Sequence, residues 1–392
     1  MKQTIILFLV SLWTIKTLSQ EKKITVILKN EITKEVVSGA SVSVVNSNQG
    51  AVSNEEGVFR LSIDAPSEIV ITHLTYKTKV IPSSDLKQAE TIVFLEENDT
   101  KLEEMIISKT PIYQVLSALV ENSAKRLTMP IHLSTYCREF VKNYGNYSRF
   151  SDGLVDLHIK GKAKKVDIDA VALQNRSYGL NEKDPASEHL IGFKLDRIIE
   201  KTYEFSVLKT FCTKKSQKDY DFEIKSNPSD DNVYFIYITP KKEAEKLLYE
   251  AKVAYNRSQK LILSVDMKIA DSHLQYSKEM NFILMRALFK KDDFKATFKF
   301  ENDKYFLANT FADVHFKAWN KRGMDYDLEA KNAFVVKNYA DENFSYDKEE
   351  IMDNSVLARN KNNIKSQYWE FDSGLTLTIE EEKIVEKLAS KS

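Results

Sequence analysis

The segment from Val37 to Leu61 carries the clearest fold signal in the N-terminal part of the chain, and it reads VSGASVSVVNSNQGAVSNEEGVFRL. Hydroxyl and valine side chains alternate over Ser41–Val44, which is the period-two pattern of a strand with one buried face. Asn46–Gly50 and Asn54–Gly57 have the composition of turns. Glycine at the end of the second turn suits a positive φ. The stretch therefore predicts two or three antiparallel strands joined by tight turns, with no group arranged for catalysis.

Similar short strands surround this stretch. With Gly, Pro, Asn and Ser between them, they predict an all-β domain over residues 20–98, in the form of a Greek-key sandwich of six or seven strands. The predicted strands are Ile24–Leu28, Ala40–Val45, Val58–Ile63, Glu68–Leu74, Lys77–Ile81 and Thr91–Leu95.

Several residues of this domain follow a known family pattern. They are Gly39, Ala40, Gly50, Asn54, Gly57, Phe59 and the run His73-Leu74-Thr75-Tyr76-Lys77, with Thr75 where glycine is common. On these residues the segment resembles the carboxypeptidase-like regulatory domain, a transthyretin-like sandwich found ahead of many exported and outer-membrane proteins. The resemblance implies a module without a peptidase centre, because none of the matching positions is a metal ligand or a nucleophile in the family.

The N-terminus has the order of a secretory signal peptide. Met1 and Lys2 give a positive start, Ile5–Trp13 is an apolar run, and Thr17–Ser19 supplies small residues for cleavage after position 19. The apolar run is too short for a permanent membrane helix. No cysteine follows it closely, so we expect no lipidated cysteine. Residues 1–19 therefore predict export, to the periplasm, the outer membrane or the medium, and a mature chain without a transmembrane segment.

Length and charge set broad limits. A chain of 392 residues predicts two domains, and 42 aromatic residues favour sheets. With 57 basic and 57 acidic residues, no overall field attracts nucleic acid or an anionic membrane. We therefore expect no nucleic-acid partner.

Residues 99–110 read as a linker, in which Leu102–Ile107 is a candidate short strand, and residues 111–392 as a second domain. The second domain begins with a helix that Thr110 caps and Pro111 opens. Its apolar positions recur at helical spacing, and it ends near Met129-Pro130. These positions are Ile112, Leu116, Leu119 and Val120.

Aromatic-rich alternating segments fill most of the second domain and predict an antiparallel, half-barrel-like sheet. Residues 170–215 are mixed, and Leu190–Leu208 is a candidate helix. The chain ends in a predicted helix over Thr378–Leu388, with Thr378 and Glu381 forming a capping box. The predicted strands are Tyr136–Tyr144, Ser148–Ile159, Tyr220–Ile224, Asn232–Thr239, Glu250–Asn256, Leu261–Ala270, Glu279–Leu288, Phe294–Glu301, Tyr305–Lys317 and Tyr326–Asn338.

This second part resembles uncharacterised exported proteins in which the sandwich precedes a larger β-rich domain. Tyr249–Val265 is similar to a strand–turn–strand unit that is shared in outline with periplasmic lipoprotein-carrier half-barrels.

The sequence offers no catalytic, cofactor or metal motif, and we assign no residue to any of these roles. The histidines lack helical metal spacing, and no serine elbow or phosphate-cradling loop is present. Two carboxylate pairs, Asp152 with Asp156 and Asp167 with Asp169, share a strand face by spacing; solvated faces are their simpler interpretation. The six histidines are His73, His132, His158, His189, His273 and His315.

The two cysteines, Cys137 and Cys212, leave three interpretations open: a disulfide, buried free thiols, or a reactive Cys212 activated by Lys209, Lys214 and Lys215. Two lysine clusters, Lys162 with Lys164 and Lys165, and Lys290 with Lys291, are typical of residues that protect sheet edges.

These observations favour an exported, non-enzymatic cell-envelope protein in which the sandwich is an adaptor and the β-rich domain binds a peptide, glycan or lipid. One alternative is a periplasmic lipid or lipoprotein carrier whose concave apolar face stays open. The other is an envelope hydrolase, which requires carboxylates or histidines to converge within residues 131–345.

Overall fold

The computed structural model describes residues 21–47, 49–87, 90–98, 104–162, 165–179, 194–228, 230–282, 285–340, 346–352 and 355–391. The predicted signal peptide, residues 1–19, lies outside them. Within these ranges the chain is mainly β, as predicted, with a small sandwich followed by a large antiparallel sheet and few helices. No helix in the described ranges is long and apolar enough to cross a bilayer.

The N-terminal unit is a seven-strand sandwich, which confirms the sequence prediction. One sheet has the order β4-β1-β7 and the other the order β3-β2-β5-β6. Alternate side chains of both sheets, among them Ile24, Phe59 and Ile69, are fully buried between them. The strands are β1 (Lys22–Asn30), β2 (Ser41–Val44), β3 (Gly50–Val52), β4 (Val58–Ile63), β5 (Glu68–His73), β6 (Tyr76–Pro82) and β7 (Glu90–Leu95).

The turn before β4 explains why position 57 is a glycine. Gly57 has a φ of +74°, and a Cβ there would lie 2.7 Å from the Leu28 carbonyl oxygen. The Asn54 side chain accepts hydrogen bonds from the amides of Glu56 and Val58, which closes the turn. Glycine is required here for both conformation and space.

The second unit contains α1 (Ile112–Arg126), α2 (Leu195–Tyr203), α3 (Tyr368–Phe371) and α4 (Ile379–Ala389). Its strands are β8 (Ile131–Asn143), β9 (Asn146–Lys162), β10 (Lys165–Tyr178), β11 (Tyr220–Asn227), β12 (Asp230–Pro240), β13 (Tyr249–Asn256), β14 (Leu261–Ile269), β15 (Met280–Asn281), β16 (Arg286–Glu301), β17 (Lys304–Trp319) and β18 (Asp325–Ala340).

These strands form one sheet with the order β10-β9-β8-β18-β17-β16-β14-β13-β12-β11, and β15 pairs with β16. All neighbouring strands in this order are antiparallel, and they are consecutive in the chain except where β8 pairs with β18 and where β14 pairs with β16. The first three strands of the unit are therefore joined to its last strand, which places both ends of the unit near the middle of the sheet.

The sheet has two differently covered faces. On the inner face, α1 and α2 pack against a continuous apolar core that includes Leu116, Leu119, Ile199 and Tyr203. Ile112 and Val120 pack at its margin, so the helical periodicity predicted the buried side of α1 correctly. The outer face carries the sandwich and the C-terminal segment 368–389, through a separate apolar cluster.

Chain segments pair with both outer strands of the large sheet. Beside β11, the Ile106 amide donates to Ile224, and Met105 forms a bridge with Lys225. Beside β10, Asn175 and Asn363 exchange backbone hydrogen bonds. The described part of the predicted linker strand thus joins the large sheet, where it covers an edge that would otherwise be open to pairing with another chain.

The prediction for the region Glu279–Leu288 is wrong in detail, because the chain forms a short hairpin between β15 and β16 instead of one strand. The predicted break before Phe294 is also wrong, since β16 runs unbroken from residue 286. The charged residues of β16 are accommodated inside the sheet because two of them are paired. Lys290 lies 2.7 Å from Asp327, and Lys291 lies 2.6 Å from Asp313. The prediction that Lys290 and Lys291 protect a sheet edge is therefore wrong.

Two helix starts were predicted, with different outcomes. Pro111 takes the N-cap position of α1 and no side chain caps it, so Thr110 is not the capping residue. At α4, the Thr378 hydroxyl accepts from the Glu381 amide and the Glu381 carboxylate accepts from the Thr378 amide, which confirms the capping box. The long strand β10 was missed, because residues 170–215 lack a regular pattern.

Truncation of α1 at its centre tests the inner core. We expect Leu116→Ala to lower the free energy of unfolding by roughly 2–5 kcal/mol, because the side chain is fully buried and leaves a cavity. Urea denaturation measures the change. Ile107→Ala is the control, since that side chain is 93% exposed and its removal should have little effect. Equal effects of the two substitutions would contradict the assigned packing.

Candidate functional site

The C-terminal segment lies between the two units. The Val52 amide of β3 donates to the Gly374 carbonyl at 2.7 Å, and Val52 forms a parallel bridge with Leu375. The Asn54 side-chain amide reaches the carbonyls of Thr376 and Leu377, both at 3.3 Å. The sandwich therefore attaches to the outer face through main-chain bonds as well as through side-chain packing.

Beside this junction lies a cleft of about 1060 Å³ between the sandwich and the outer face of the sheet. The sandwich side is formed by residues 38, 39, 41, 53–55 and 72–78, and the floor by residues of β8, β11, β12, β13, β14, β16, β17 and β18. Because both units contribute, the cleft exists only when the sandwich is docked.

Cross-strand neighbours form the floor in ordered rows. Side chains of one face of adjacent strands stand side by side, so the register fixes which groups meet. The central row is Arg138, Ala333, Phe311, Lys295, Asp266 and Lys252. The row beside it is Phe140, Lys331, Asp313 and Asp293.

Opposite charges alternate along the cleft and are largely paired. Lys295 lies 3.1 Å from Asp266, and Lys331 reaches Glu55 of the sandwich at 3.3 Å. The cationic lining residues are Lys77, Arg138, Lys252, Lys295, Lys299 and Lys331. The acidic ones are Glu55, Asp230, Asp266, Asp293, Asp313 and Glu381. The lining therefore has no net sign.

Burial lowers the pKa of two groups in the cleft. Burial lowers the pKa of His73; a hydrogen bond with the Ser38 backbone opposes that change, and the charge of Lys295 adds to it. Burial also lowers the pKa of Lys299, against the opposing charge of Glu301. His73 packs edge-on against Tyr76, with ring centroids 5.2 Å apart. The sandwich side of the cleft thus presents aromatic rings towards a charged floor.

A buried carboxylate holds the C-terminal segment against the sheet. Asp152 is fully buried and receives two hydrogen bonds from Arg176, at 2.8 and 3.0 Å. The hydroxyls of Tyr136 and Tyr368 donate to the same carboxylate at 2.9 and 3.1 Å. Arg176 also lies 4.2 Å from the ring centroid of Trp369. The four donors satisfy the carboxylate, and burial, followed by the charge of Asp152, raises the pKa of Tyr368.

Loss of this carboxylate tests its structural role. We expect Asp152→Ala to destabilise the protein by roughly 3–5 kcal/mol, because Arg176 is left as an uncompensated buried charge. Asp167→Ala on the neighbouring strand is the matched control, and its exposed side chain predicts a change within about 0.5 kcal/mol. Urea denaturation of both variants measures the difference, and a mild effect of Asp152→Ala would refute the assignment.

A second polar cluster lies on β8, β9 and β10. His132 stacks on His158 with centroids 4.9 Å apart, and Tyr346 stacks on His158 at 3.8 Å. Asp156 lies 3.3 Å from His132. Burial and the charge of His132 lower the pKa of His158 to about 4. Among the described residues, no group of three or more His, Cys, Asp or Glu side chains is placed to hold a metal ion.

The low pKa of His158 predicts a loss of stability in acid. The unfolded chain binds a proton at this position near pH 6.5, whereas the folded chain does so only near pH 4. The free energy of unfolding should therefore fall as the pH drops from about 6.5 to about 4. We expect His158→Gln to reduce this fall, as measured by urea denaturation at pH 7.5, 6 and 5. Identical slopes for both proteins would contradict the prediction.

Neither predicted carboxylate pair, Asp152 with Asp156 or Asp167 with Asp169, forms an acid–base pair in the structure. Asp152 and Asp156 share the outer face of β9, as predicted, but Asp152 is bound by Arg176 and Asp156 by His132 and Ser134. Asp167 is exposed, while Asp169 contacts Lys160 and Tyr346. Asp152, Asp156 and Asp169 are thus each bound by separate partners.

Both cysteines are free thiols, which decides among the three interpretations. Burial raises the pKa of Cys137 to about 12 and that of Cys212 to about 11. The Cys212 thiol donates to the Leu208 carbonyl at 3.3 Å. Burial therefore argues against the interpretation of Cys212 as a lysine-activated thiol. Of the first lysine cluster, Lys162 and Lys165 are exposed cross-strand neighbours, and Lys164 lies outside the described residues.

Sequence reasoning missed the cleft. Its floor residues come from eight strands, and no short motif contains two of the central row. The polar face of each alternating strand could have indicated which residues are candidates for the cleft floor. Alternation does not show, however, which strands are neighbours.

Residues 25–107 match the family model of the CarboxypepD_reg-like domain. The N-terminal sandwich is a CarboxypepD_reg-like domain. This confirms the family resemblance seen in its turn residues, and the match leaves the large sheet unassigned. A search of curated proteins finds no match to the chain.

Several solved structures share a loose likeness with the chain. A LolA superfamily protein from Nitrosomonas europaea is 8% identical, with a TM-score of 0.23, and the alignment covers 62% of this chain and 99% of that one. A DUF1329 family protein from Desulfovibrio piger is 11% identical, with a TM-score of 0.23 and coverages of 58% and 90%. A putative membrane-associated protein of unknown function from Bacteroides fragilis is 6% identical, with a TM-score of 0.15 and coverages of 81% and 99%. These scores support no argument about this chain.

Proposed function

We propose that the chain is a non-enzymatic binding protein of the bacterial cell envelope, which holds an extended polar ligand, a glycan or a peptide, in the cleft between its two units. The observation that carries this proposal is the cleft itself: about 1060 Å³, with rows of paired charges on its floor and aromatic rings beside them. Cavities of this size accommodate several sugar rings or a short peptide.

The chemistry of the cleft favours a polar ligand. Lys295, Asp266 and Lys331 present donors and acceptors in a fixed pattern set by strand register, while Phe311 offers an apolar surface between them. A ligand with hydroxyl or amide groups can replace the water on these side chains. An acyl chain would remove that water without supplying hydrogen bonds, which costs free energy.

The charge pairing supports binding without reaction. Asp313 and Asp293 are cross-strand neighbours, the arrangement that a glycosidase would need, but Lys291 lies 2.6 Å from one and 3.4 Å from the other. An ammonium group that contacts both carboxylates favours two paired anions over an acid and a base. This arrangement argues against the hydrolase alternative.

The carrier alternative requires an open apolar face. The inner face is instead filled by side chains of α1 and α2, among them Leu119 and Tyr203, which are buried against the sheet. Opening it would require these helices to move away from their core. We therefore place the ligand on the outer face.

Location in the envelope is part of the proposal. It is supported by the secretory pattern of residues 1–19 and by the CarboxypepD_reg-like domain, whose docked position makes it a structural half of the cleft. In this arrangement the domain acts as an adaptor that completes the binding site.

Binding to glycan and peptide arrays tests the proposal. We expect the wild-type protein to retain a defined subset of glycans or peptides, and Lys295→Gln to weaken that binding about tenfold or more, because one charge-assisted hydrogen bond is worth about 1.5–3 kcal/mol. Phe311→Ala should weaken it through the lost apolar contact. Phe94→Ala, on the far side of the sandwich, is the control and should bind normally.

Three results would count against the proposal. Absence of binding on both arrays would remove the cleft as a ligand site. Phospholipid found in the purified protein by native mass spectrometry would favour the carrier. Cleavage of an arrayed ligand would favour the hydrolase.

A further inference from the structure

An exposed apolar tip lies at one end of the large sheet, where β15 turns into β16. We use "apolar tip" for Met280, Phe282 and Met285. Phe282 is 48% exposed and Met280 is 42% exposed. The Phe282 amide donates to the Met285 carbonyl at 2.8 Å, and Met280 pairs with Ala287, so the main chain is hydrogen-bonded across the hairpin.

The chemistry of this tip is unusual for a hairpin. Connections between strands are ordinarily rich in Gly, Asn, Asp and Ser. Here the sequence from Met280 to Arg286 is MNFILMR, in which the intervening Ile283 and Leu284 lie outside the described residues. Met280 and Phe282 leave nearly half of their surface in contact with water, and two such side chains close together point to a surface that is covered in the working state.

The base of the tip is firmly held. Met285 and Phe289 pack against a small apolar cluster that contains Val141, Phe316 and Leu328. This cluster belongs to the neighbouring strands β8, β17 and β18. Packing against these strands therefore holds the base of the hairpin, while Met280 and Phe282 remain partly exposed to solvent.

Cationic side chains surround the tip. Arg286 is the cross-strand neighbour of Trp319, so the turn between β17 and β18 lies beside the hairpin. That turn carries Lys321 and Arg322, and Lys278 precedes β15; all three are exposed, and none forms an ion pair with another described residue. In contrast, Arg286 is paired with Glu279 at 3.3 Å.

We propose that this end of the sheet docks onto a bilayer surface that contains anionic lipid. Met280 and Phe282 would enter the boundary between headgroups and acyl chains, and the exposed cations would contact lipid phosphates. Apolar side chains flanked by Lys and Arg are the pattern of peripheral membrane contact, in which apolar burial and attraction to anionic lipid add. The neutral net charge of the chain does not oppose this, because screening confines such attraction to the local surface.

The same charges argue against a second copy of this chain as the occupant. Two such tips facing each other would bring Lys278, Lys321 and Arg322 of both copies together, and like charges at short range repel. An anionic surface has the complementary sign.

Sedimentation with lipid vesicles tests this inference, which does not depend on the cleft. We expect the purified protein to bind vesicles of phosphatidylcholine with 30% phosphatidylglycerol at least fivefold better than vesicles of phosphatidylcholine alone, and binding to weaken in high salt. The double variant Met280→Ser, Phe282→Ser should reduce binding at least fivefold. Lys321→Glu with Arg322→Glu should abolish the preference for phosphatidylglycerol.

Two controls keep the test specific. Ile32→Ser removes a side chain that is 81% exposed on the sandwich, and Lys361→Glu with Lys365→Glu reverses charge beside β10; both should bind like wild type. Because every substituted residue is exposed, circular dichroism and thermal unfolding should be unchanged. Equal loss in the controls, or no vesicle binding by wild type, would overturn the proposal. A dimer in sedimentation velocity that the Phe282 variant dissociates would instead assign the tip to self-association.

Discussion

The buried carboxylate of Asp152 is the interaction on which the arrangement of the two units depends. A fully buried charge is tolerated only when hydrogen-bonding groups replace its water, and here Arg176, Tyr136 and Tyr368 do so. Three of these four residues belong to β8, β9 and β10, whereas Tyr368 opens the C-terminal segment. The carboxylate therefore fixes the start of that segment on the sheet, although the two are 216 residues apart in sequence.

Attachment of the segment has consequences for the sandwich. Once Tyr368 is fixed, Gly374 and Leu375 lie where they can pair with β3, and the following helix presents its capped end to the turn that holds Asn54 and Glu56. The CarboxypepD_reg-like domain is thus held by the last part of the chain, not only by the linker that precedes the second unit. The cleft is a product of this docking, because neither unit encloses it alone.

The two faces of the large sheet differ in polarity. Its inner face is a filled apolar core under α1 and α2, and its outer face carries alternating charges that remain partly accessible. At one end, the β15–β16 hairpin adds exposed apolar groups beside cations that have no ion-pair partner among the described residues. A chain with equal numbers of acidic and basic residues can therefore have surfaces of very different character, because strand register decides which charges become neighbours.

Local residue patterns were enough to predict six of the seven sandwich strands, the glycine at position 57, the buried side of α1 and the capping box at Thr378. Each of these follows from residues within a few positions of one another. The sequence could not predict that Lys290 and Lys291 lie inside a continuous strand, because their partners Asp327 and Asp313 are distant in sequence. Nor could it predict the Asp152 network or the cleft. Alternation assigns a residue to a face of its strand. Strand pairing, register and the cover of each face arise instead from contacts between residues that are far apart in sequence.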